Sequence, residues 1–275
     1  MSTTPRDAVS VVIPVRNIAG SIDGLISAWI QGLNSIGRPW ELLIVDDGST
    51  DGTFAKAEAA NARNTRVLKL DAPTGFGACL RLALPEVQHP LLATSAADYP
   101  YTPADLAKLL ARIEVETEFP DPSTGEFVMR TPDIVNGCRT GVAVPAFWKN
   151  SGRLYRGFCR IVLGLPLDAL PSWYGLGEHL RIWGAWIVYG VPLEDPNSAF
   201  KVYRKAFLER FPIQSDGDFV QIELVAKSTF LTCILDEIPL TPKSQAIPHA
   251  KWARADRRKV FGHPQFRHAP VPAVS

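Results

Sequence analysis

A cluster of short polar residues follows the apolar stretch Leu42 to Val45. The stretch LLIVDDGSTDGTF places Asp46, Asp47, Gly48, Ser49, Thr50, Asp51 and Gly52 directly after four apolar residues. One Asx or Gly residue is enough to make a turn, so this cluster holds more acceptors than a turn requires. Carboxylates accept hydrogen bonds from hydroxyl and imino groups, so Asp46 and Asp47 could bind a ribose or a base edge. A helix N-cap is the alternative, because it uses the same residue types.

The elements that would position this cluster alternate between strands and helices. Apolar runs rich in β-branched residues predict strands at 9–15, 40–46, 65–70 and 90–95, and helical spacing predicts helices at 22–36, 53–63, 75–87 and 103–115. This order predicts βαβ units and a mostly parallel sheet. In such sheets, ligands bind beyond the carboxyl ends of the strands, here Pro14 to Asn17, Asp46 to Thr50, Asp71 to Gly77 and Ser95 to Asp98.

The second half of the chain gives a weaker pattern. Its Pro and Gly content predicts a loop at 118–133, whereas strands are predicted at 133–138, 198–204 and 233–240 and a helix at 218–230. Residues 1–7 and 244–275 lack apolar periodicity, so we expect flexible tails around a single domain at 8–243. We predict an α/β fold whose second half carries a helical, aromatic-rich insertion.

Composition excludes several classes of protein. With 29 basic and 28 acidic residues the net charge is +1, which argues against nucleic acid as a partner. Four widely separated cysteines indicate neither a disulfide framework nor a metal cluster and favour a reducing compartment. No apolar run reaches the roughly 18 residues of a spanning helix, so we expect a cytoplasmic protein that could contact a membrane peripherally.

Two fragments in order resemble glycosyltransferase family 2. SVVIPVRN, followed about thirty residues later by IVDDGSTDGT, is similar to the opening of these inverting enzymes with the GT-A fold, a Rossmann-like, mostly parallel sheet flanked by helices. The resemblance implies a UDP- or GDP-sugar donor. It implies donor contacts from Pro14, Val15, Asn17, Asp46, Asp47, Gly75, Gly77 and Ala97. Ile18 departs from the family pattern, which has Glu after the Asn.

The family's metal motif, DxD, is degenerate in this chain. The segment TSAADYPYTPADL aligns Asp98 with the second Asp and Ala96 with the first, counting back from Pro103. The resemblance implies that Asp98 binds Mg²⁺ or Mn²⁺ directly. A hard carboxylate oxygen suits either ion, with diphosphate oxygens and water as the other ligands.

Later motifs resemble the subgroup that acts on polyprenyl phosphates, which includes dolichyl-phosphate mannose synthase. IVNGCR and EDPNSAFKVYR imply phosphate contacts for Arg139 and Lys201, although Ala199 replaces a Gly of the pattern. Both basic residues could instead be ordinary surface cations. A hydroxyl acceptor needs a base, for which we select Asp195, with Asp216 and Asp218 as second choices. A lipid phosphate acceptor needs none.

These features leave two classes of function open. The first is a sugar transfer from a nucleotide sugar to a lipid phosphate or a hydroxyl, with inversion. The second is a GT-A scaffold that has lost catalysis and binds a ligand or partner, which the replacements at Ile18, Ala96 and Ala199 motivate. The aromatic-rich stretch 164–190 suits a membrane interface, an acceptor groove, core packing or a homodimer contact.

Overall fold

A computed structural model describes residues 7–97, 101–120, 127–139, 193, 195–231, 233–240 and 253–267. Their main sheet has seven strands in the order β3-β2-β1-β4-β8-β7-β9. The strands are β1 (Val9–Val15), β2 (Trp40–Asp47), β3 (Thr65–Leu70), β4 (Leu91–Thr94), β7 (Ile134–Arg139), β8 (Lys201–Arg204) and β9 (Leu235–Leu240). The helices are α1 (Ile22–Ser35), α2 (Thr53–Ala59), α3 (Phe76–Ala83), α4 (Pro103–Ile113), α5 (Lys205–Leu208), α6 (Val220–Phe230) and α7 (Arg254–Gly262), and a 3-10 turn spans Leu84–Glu86.

The sheet is covered by helices on both faces. Alternate residues of β1 point to opposite sides, so Val11 and Ile13 join the core beneath α1 and α4, whereas Val12 joins the core beneath α3 and α6. Burial on both faces explains why these strands are continuous apolar runs without polar alternation. The predicted α/β fold is confirmed.

One strand of the sheet runs against the others. β8 pairs antiparallel with both β4 and β7, while β1 to β4 pair in parallel and β7 pairs parallel with β9. The sheet is therefore mixed, with most strands parallel as predicted. The amino end of β8 consequently lies at the same sheet edge as the carboxyl ends of β1 to β4.

Two sequence predictions are wrong. Part of the expected loop at 118–133 forms an antiparallel pair, β5 (Thr117–Pro120) with β6 (Phe127–Arg130). Within the expected tail 244–275, residues 253–267 contain α7, whose Asp256 and Val260 are buried. The boundaries 8–243 stay a prediction.

Candidate active site

A cleft lies at the carboxyl ends of the first four strands. Its volume is about 880 Å³, within the range typical of small-molecule sites. Segments after β1, β2, β3 and β4 form one wall, and residues before β8 and at the start of α6 form the other. Residues lining it include Pro14, Val15, Arg16, Ile18, Asp47, Gly75, Phe76, Ala96, Ala97, Asn197, Ala199, Asp218 and Gln221. The convergence of these segments is the arrangement that α/β sheets use to bind ligands.

Asp47 links the end of β2 to the loop after β3. Its Oδ1 accepts hydrogen bonds from the backbone N–H groups of Thr74, at 2.7 Å, and Gly75, at 3.0 Å. The carboxylate is almost buried yet lines the cleft. Asp47 can therefore hold the loop after β3 and still face a ligand.

Asp46 lies behind the cleft surface. The residue is fully buried, and its Oδ2 accepts a hydrogen bond from Ser49 N–H at 3.1 Å. Its Oδ1 is buried without a hydrogen-bond partner in the described part of the chain. Asp46 shapes the turn after β2, and the structure does not bring it to the lining where a donor contact was expected.

Side chains tie the loop after β1 to the loop after β2. Asn17 Oδ1 accepts from Thr50 N–H at 3.0 Å, and Asn17 N–H donates to Ser49 Oγ at 2.9 Å. Asp51 Oδ2 accepts from Ala19 N–H at 2.9 Å. Hydrogen bonds from the Thr53 hydroxyl and from Ala19 N–H lower the pKa of Asp51. Asn17, which we expected to contact the nucleotide-sugar donor, thus joins two loops, while Pro14 and Val15 line the cleft.

The glycines at the start of α3 allow another chain segment to approach. A Cβ on Gly77 would lie 2.3 Å from the carbonyl oxygen of Ser215, and one on Gly75 would lie 2.8 Å from that of Asp216. Ala78 N–H donates a hydrogen bond to Asp216 O at 3.0 Å, which holds the two segments together. We expected these glycines to admit a nucleotide, but Gly77 serves the packing of residues 215–217, and only Gly75 also lines the cleft.

The segment 214–217 is held from its other side by α7. Asp256 accepts hydrogen bonds from the backbone N–H groups of Asp216, at 3.2 Å, and Gly217, at 3.0 Å. Burial alone would raise the pKa of Asp216, but the hydrogen bond and charge of Arg81, together with Lys259, lower it. This network fixes the backbone immediately before Asp218, which lines the cleft.

The sequence comparisons match part of this chain to a family model. Residues 10–132 match the model described as Glycosyl transferase family 2. A curated relative, "Dodecaprenyl-phosphate galacturonate synthase" from Rhizobium johnstonii, is 23% identical over 214 residues, which cover 76% of this chain. The chain spans about half the length, 51%, of that relative.

Solved structures share the GT-A fold of this chain. Glucosyl-3-phosphoglycerate synthase from Mycobacterium tuberculosis, crystallised with Mn²⁺, UDP-glucose and phosphoglyceric acid, superposes with a TM-score of 0.58 at 18% identity. Its complex with Mg²⁺ and UDP gives 0.57 at 17%. Both alignments cover 88% of this chain and 73% of the other. At this identity the likeness establishes the fold alone.

Two predicted site residues lie inside the protein. Lys201 is fully buried, and its Nζ donates to Gln221 Oε1 at 3.0 Å, to Pro196 O at 3.1 Å and to Ser198 O. These bonds use the three N–H groups of the ammonium, so the geometry does not favour the predicted phosphate contact. Asp195, our predicted base, is 1% exposed and is not among the residues that line the cleft.

Other predicted site positions lie outside the described residues. They are Asp98, the side chain of Arg139 and the aromatic-rich stretch 164–190. Ala96 and Ala97, which precede Asp98, line the same cleft as Asp47. The position of Asp98 relative to Asp47 stays a prediction.

Sequence reasoning missed or ranked low several cleft residues. Arg16, Asn197 and Gln221 line the cleft, and Asp218 was only a second choice. A basic residue directly after the first strand was a usable signal for Arg16. Asn197 and Gln221 gave none, because they reach the cleft only through the antiparallel placement of β8 and the packing of α6.

The described part of the cleft offers carboxylates for a cation but no complete metal site. Among the described residues, no three His, Cys, Asp or Glu side chains form a cluster that could hold a metal ion. Asp47 and Asp218 nevertheless line the cleft beside the segment that leads to Asp98. Carboxylate oxygens are the ligands that Mg²⁺ and Mn²⁺ prefer, so this donor set fits the ion that the family implies.

Within the described ranges, no helix is long and apolar enough to cross a membrane.

Proposed function

We propose that this chain is an inverting, metal-dependent glycosyltransferase that moves a sugar from a UDP- or GDP-sugar to a polyprenyl phosphate, in peripheral contact with the lipid surface that contains it. The observation that carries the proposal is the cleft itself, where Asp47 and the segment leading to Asp98 converge at the strand ends. The name of the curated relative supports a polyprenyl-phosphate acceptor. The titles of the structural neighbours support a UDP-sugar donor.

The donor would lie across the ends of β1 to β4. Asp47 would face the nucleoside, because its Oδ1 is held by two backbone N–H groups and a ligand could use the remaining oxygen. Asp98 would hold the divalent ion. Asp47 and Asp218 line the cleft and could supply further carboxylate oxygens. When bound, such an ion neutralises charge on a diphosphate.

The acceptor oxygen would attack the anomeric carbon from the face opposite the diphosphate. The bond between that carbon and the diphosphate oxygen breaks with its electron pair going to the diphosphate, which inverts the anomeric configuration. A lipid phosphate enters as an anion and loses no proton. A hydroxyl acceptor would give its proton to a base, and Asp218 replaces Asp195 as the better candidate because Asp218 lines the cleft.

Calorimetry with UDP and GDP, with and without Mn²⁺, tests the donor and metal assignments. Asp98→Ala should lose the Mn²⁺-dependent part of the affinity. The matched control is Asp71→Ala, since Asp71 is exposed after β3 and does not line the cleft. Unchanged binding of UDP and Mn²⁺ by Asp98→Ala would remove Asp98 from the metal role.

A catalytically silent binding module is the second candidate. It is favoured by one observation: Ile18, Ala96 and Ala199, the three departures from the family pattern, all line the cleft. Incubation with a panel of nucleotide sugars and a short-chain polyprenyl phosphate separates the two. Nucleotide release that depends on the acceptor supports transfer, whereas tight binding without turnover supports the binding module.

A further inference from the structure

Helix α7 presents a strongly basic face to solvent. Arg254, Arg257, Arg258 and Phe261 follow the spacing i, i+3, i+4, i+7, which places them along one side of a helix over about 10 Å. All four are exposed, and Phe261 is 38% exposed. The opposite side carries the buried Asp256 and Val260, and the partly exposed Phe261 ring also contacts the buried Phe219 ring edge to face, with 5.8 Å between centroids.

The three arginines are not used within the protein. Among the described residues, their side chains make no hydrogen bond or ion pair, in contrast to Lys259 on the same helix, which pairs with Asp216. Residues 253–267 contain five basic residues and one acidic residue, a net charge of +4, whereas the whole chain carries +1. The positive charge is therefore concentrated on this segment, and the rest of the chain is net negative.

The buried side of α7 contacts a segment that leads into the cleft. Asp256, in the first turn of α7, accepts hydrogen bonds from Asp216 and Gly217, and the next residue, Asp218, lines the cleft. A surface that binds the arginines would thus bind the helix that supports this segment.

We propose that the face formed by Arg254, Arg257, Arg258 and Phe261 docks the protein on an anionic lipid bilayer. The choice of a bilayer over a nucleic acid rests on the proposed function, in which the acceptor is a lipid phosphate. Guanidinium groups bind headgroup phosphates, and an exposed aromatic ring on the same face suits the boundary between headgroups and acyl chains. Each basic residue near such a surface strengthens binding about fivefold, so three contribute on the order of a hundredfold.

Vesicle co-sedimentation of the full chain tests this docking. The probes are vesicles of phosphatidylcholine with about a third phosphatidylglycerol and, for comparison, vesicles of pure phosphatidylcholine. The test variant carries Arg254→Gln, Arg257→Gln and Arg258→Gln. The matched control carries Arg63→Gln, Lys108→Gln and Arg130→Gln, which removes three exposed charges elsewhere. Thermal melting verifies that both variants fold.

We expect binding to anionic vesicles that weakens with salt, a loss on the order of a hundredfold in the test variant, and little change in the control. Equal losses in the two variants would overturn the proposal, because net charge alone would then explain binding. Binding to duplex DNA as tight as to anionic vesicles at the same salt concentration would also overturn it. UDP calorimetry without lipid separates the two proposals: the test variant should keep wild-type UDP affinity, and absent UDP binding with intact vesicle binding would refute only the sugar transfer.

Discussion

Replacing Gly77 with alanine tests the contact between α3 and the segment 215–217. Helix propensity alone predicts that the change stabilises the protein by about 1 kcal/mol, because Gly77 lies within a helix. The structure predicts the opposite. The added Cβ would lie 2.3 Å from Ser215 O, where favourable contacts are about 3.5 Å or longer. Ser215 O is a backbone atom, so a change of side-chain rotamer cannot relieve the overlap.

The overlap can be relieved only by moving residues 215–217 away from α3. Overpacking of this kind costs about 1–3 kcal/mol, and loss of the hydrogen bond from Ala78 to Asp216 adds about 1 kcal/mol. After subtracting the propensity gain, we expect Gly77→Ala to lower the free energy of unfolding by about 1–3 kcal/mol. For a chain of this size that corresponds to a fall in Tm of roughly 2–10 °C.

The matched control for this prediction is Gly24→Ala in α1. No atom lies within 4 Å of a Cβ at Gly24, so only the propensity gain applies and Tm should rise by a few degrees. Urea unfolding and thermal melting measure both variants. Because residues 215–217 contact Gly75, whose N–H binds Asp47, we also expect Gly77→Ala to weaken UDP binding about tenfold. A Gly77→Ala protein as stable as Gly24→Ala would refute the packing argument.

Three further predictions follow from the described contacts. Asp47→Ala leaves two backbone N–H groups without their acceptor and should lower stability by about 2–4 kcal/mol, whereas Asp47→Asn should keep most of the stability in urea unfolding and lose UDP affinity in calorimetry. Burial, with the charges of Asp47 and Asp46, raises the pKa of the Cys79 thiol to about 12, so peptide mapping after iodoacetamide at pH 8 should find Cys79 unmodified in the folded protein. Because folding lowers the pKa of Asp216, its carboxylate stabilises the fold at pH values above the pKa that it has in the unfolded chain. This stabilisation is lost as the pH falls through the pKa of the folded state. The stability difference between wild type and Arg81→Met should therefore be present at pH 6 and shrink toward pH 3; a constant difference would contradict this.

The first half of the fold could be predicted because its strands are buried on both faces. A strand such as β1 then becomes a run of β-branched residues, and α1 shows its buried face as Ile26, Trp29 and Leu33 at helical spacing. α7 gives no such signal. Its anchoring face combines Val260 with Asp256, which is held by hydrogen bonds to backbone, and an apolar pattern cannot reveal a contact of that kind.

The site was predictable only where it is local in sequence. Asp47 was found because the polar cluster follows its own strand. The contact of Gly77 with Ser215 joins residues more than a hundred positions apart, and no spacing rule contains it. Lys201 shows the limit of residue type, since a lysine in a phosphate-binding motif is here buried and bonded to the carbonyl groups of Pro196 and Ser198.

The departures from the family pattern change the lining of the cleft and leave its frame unchanged. Asp47 and Gly75, which match the pattern, hold the backbone around the donor side through hydrogen bonds and close packing. Ile18 and Ala96 stand where the pattern has carboxylates, and both line the cleft. The backbone contacts around the cleft therefore match the family pattern, whereas the cleft lining has two carboxylates fewer than that pattern.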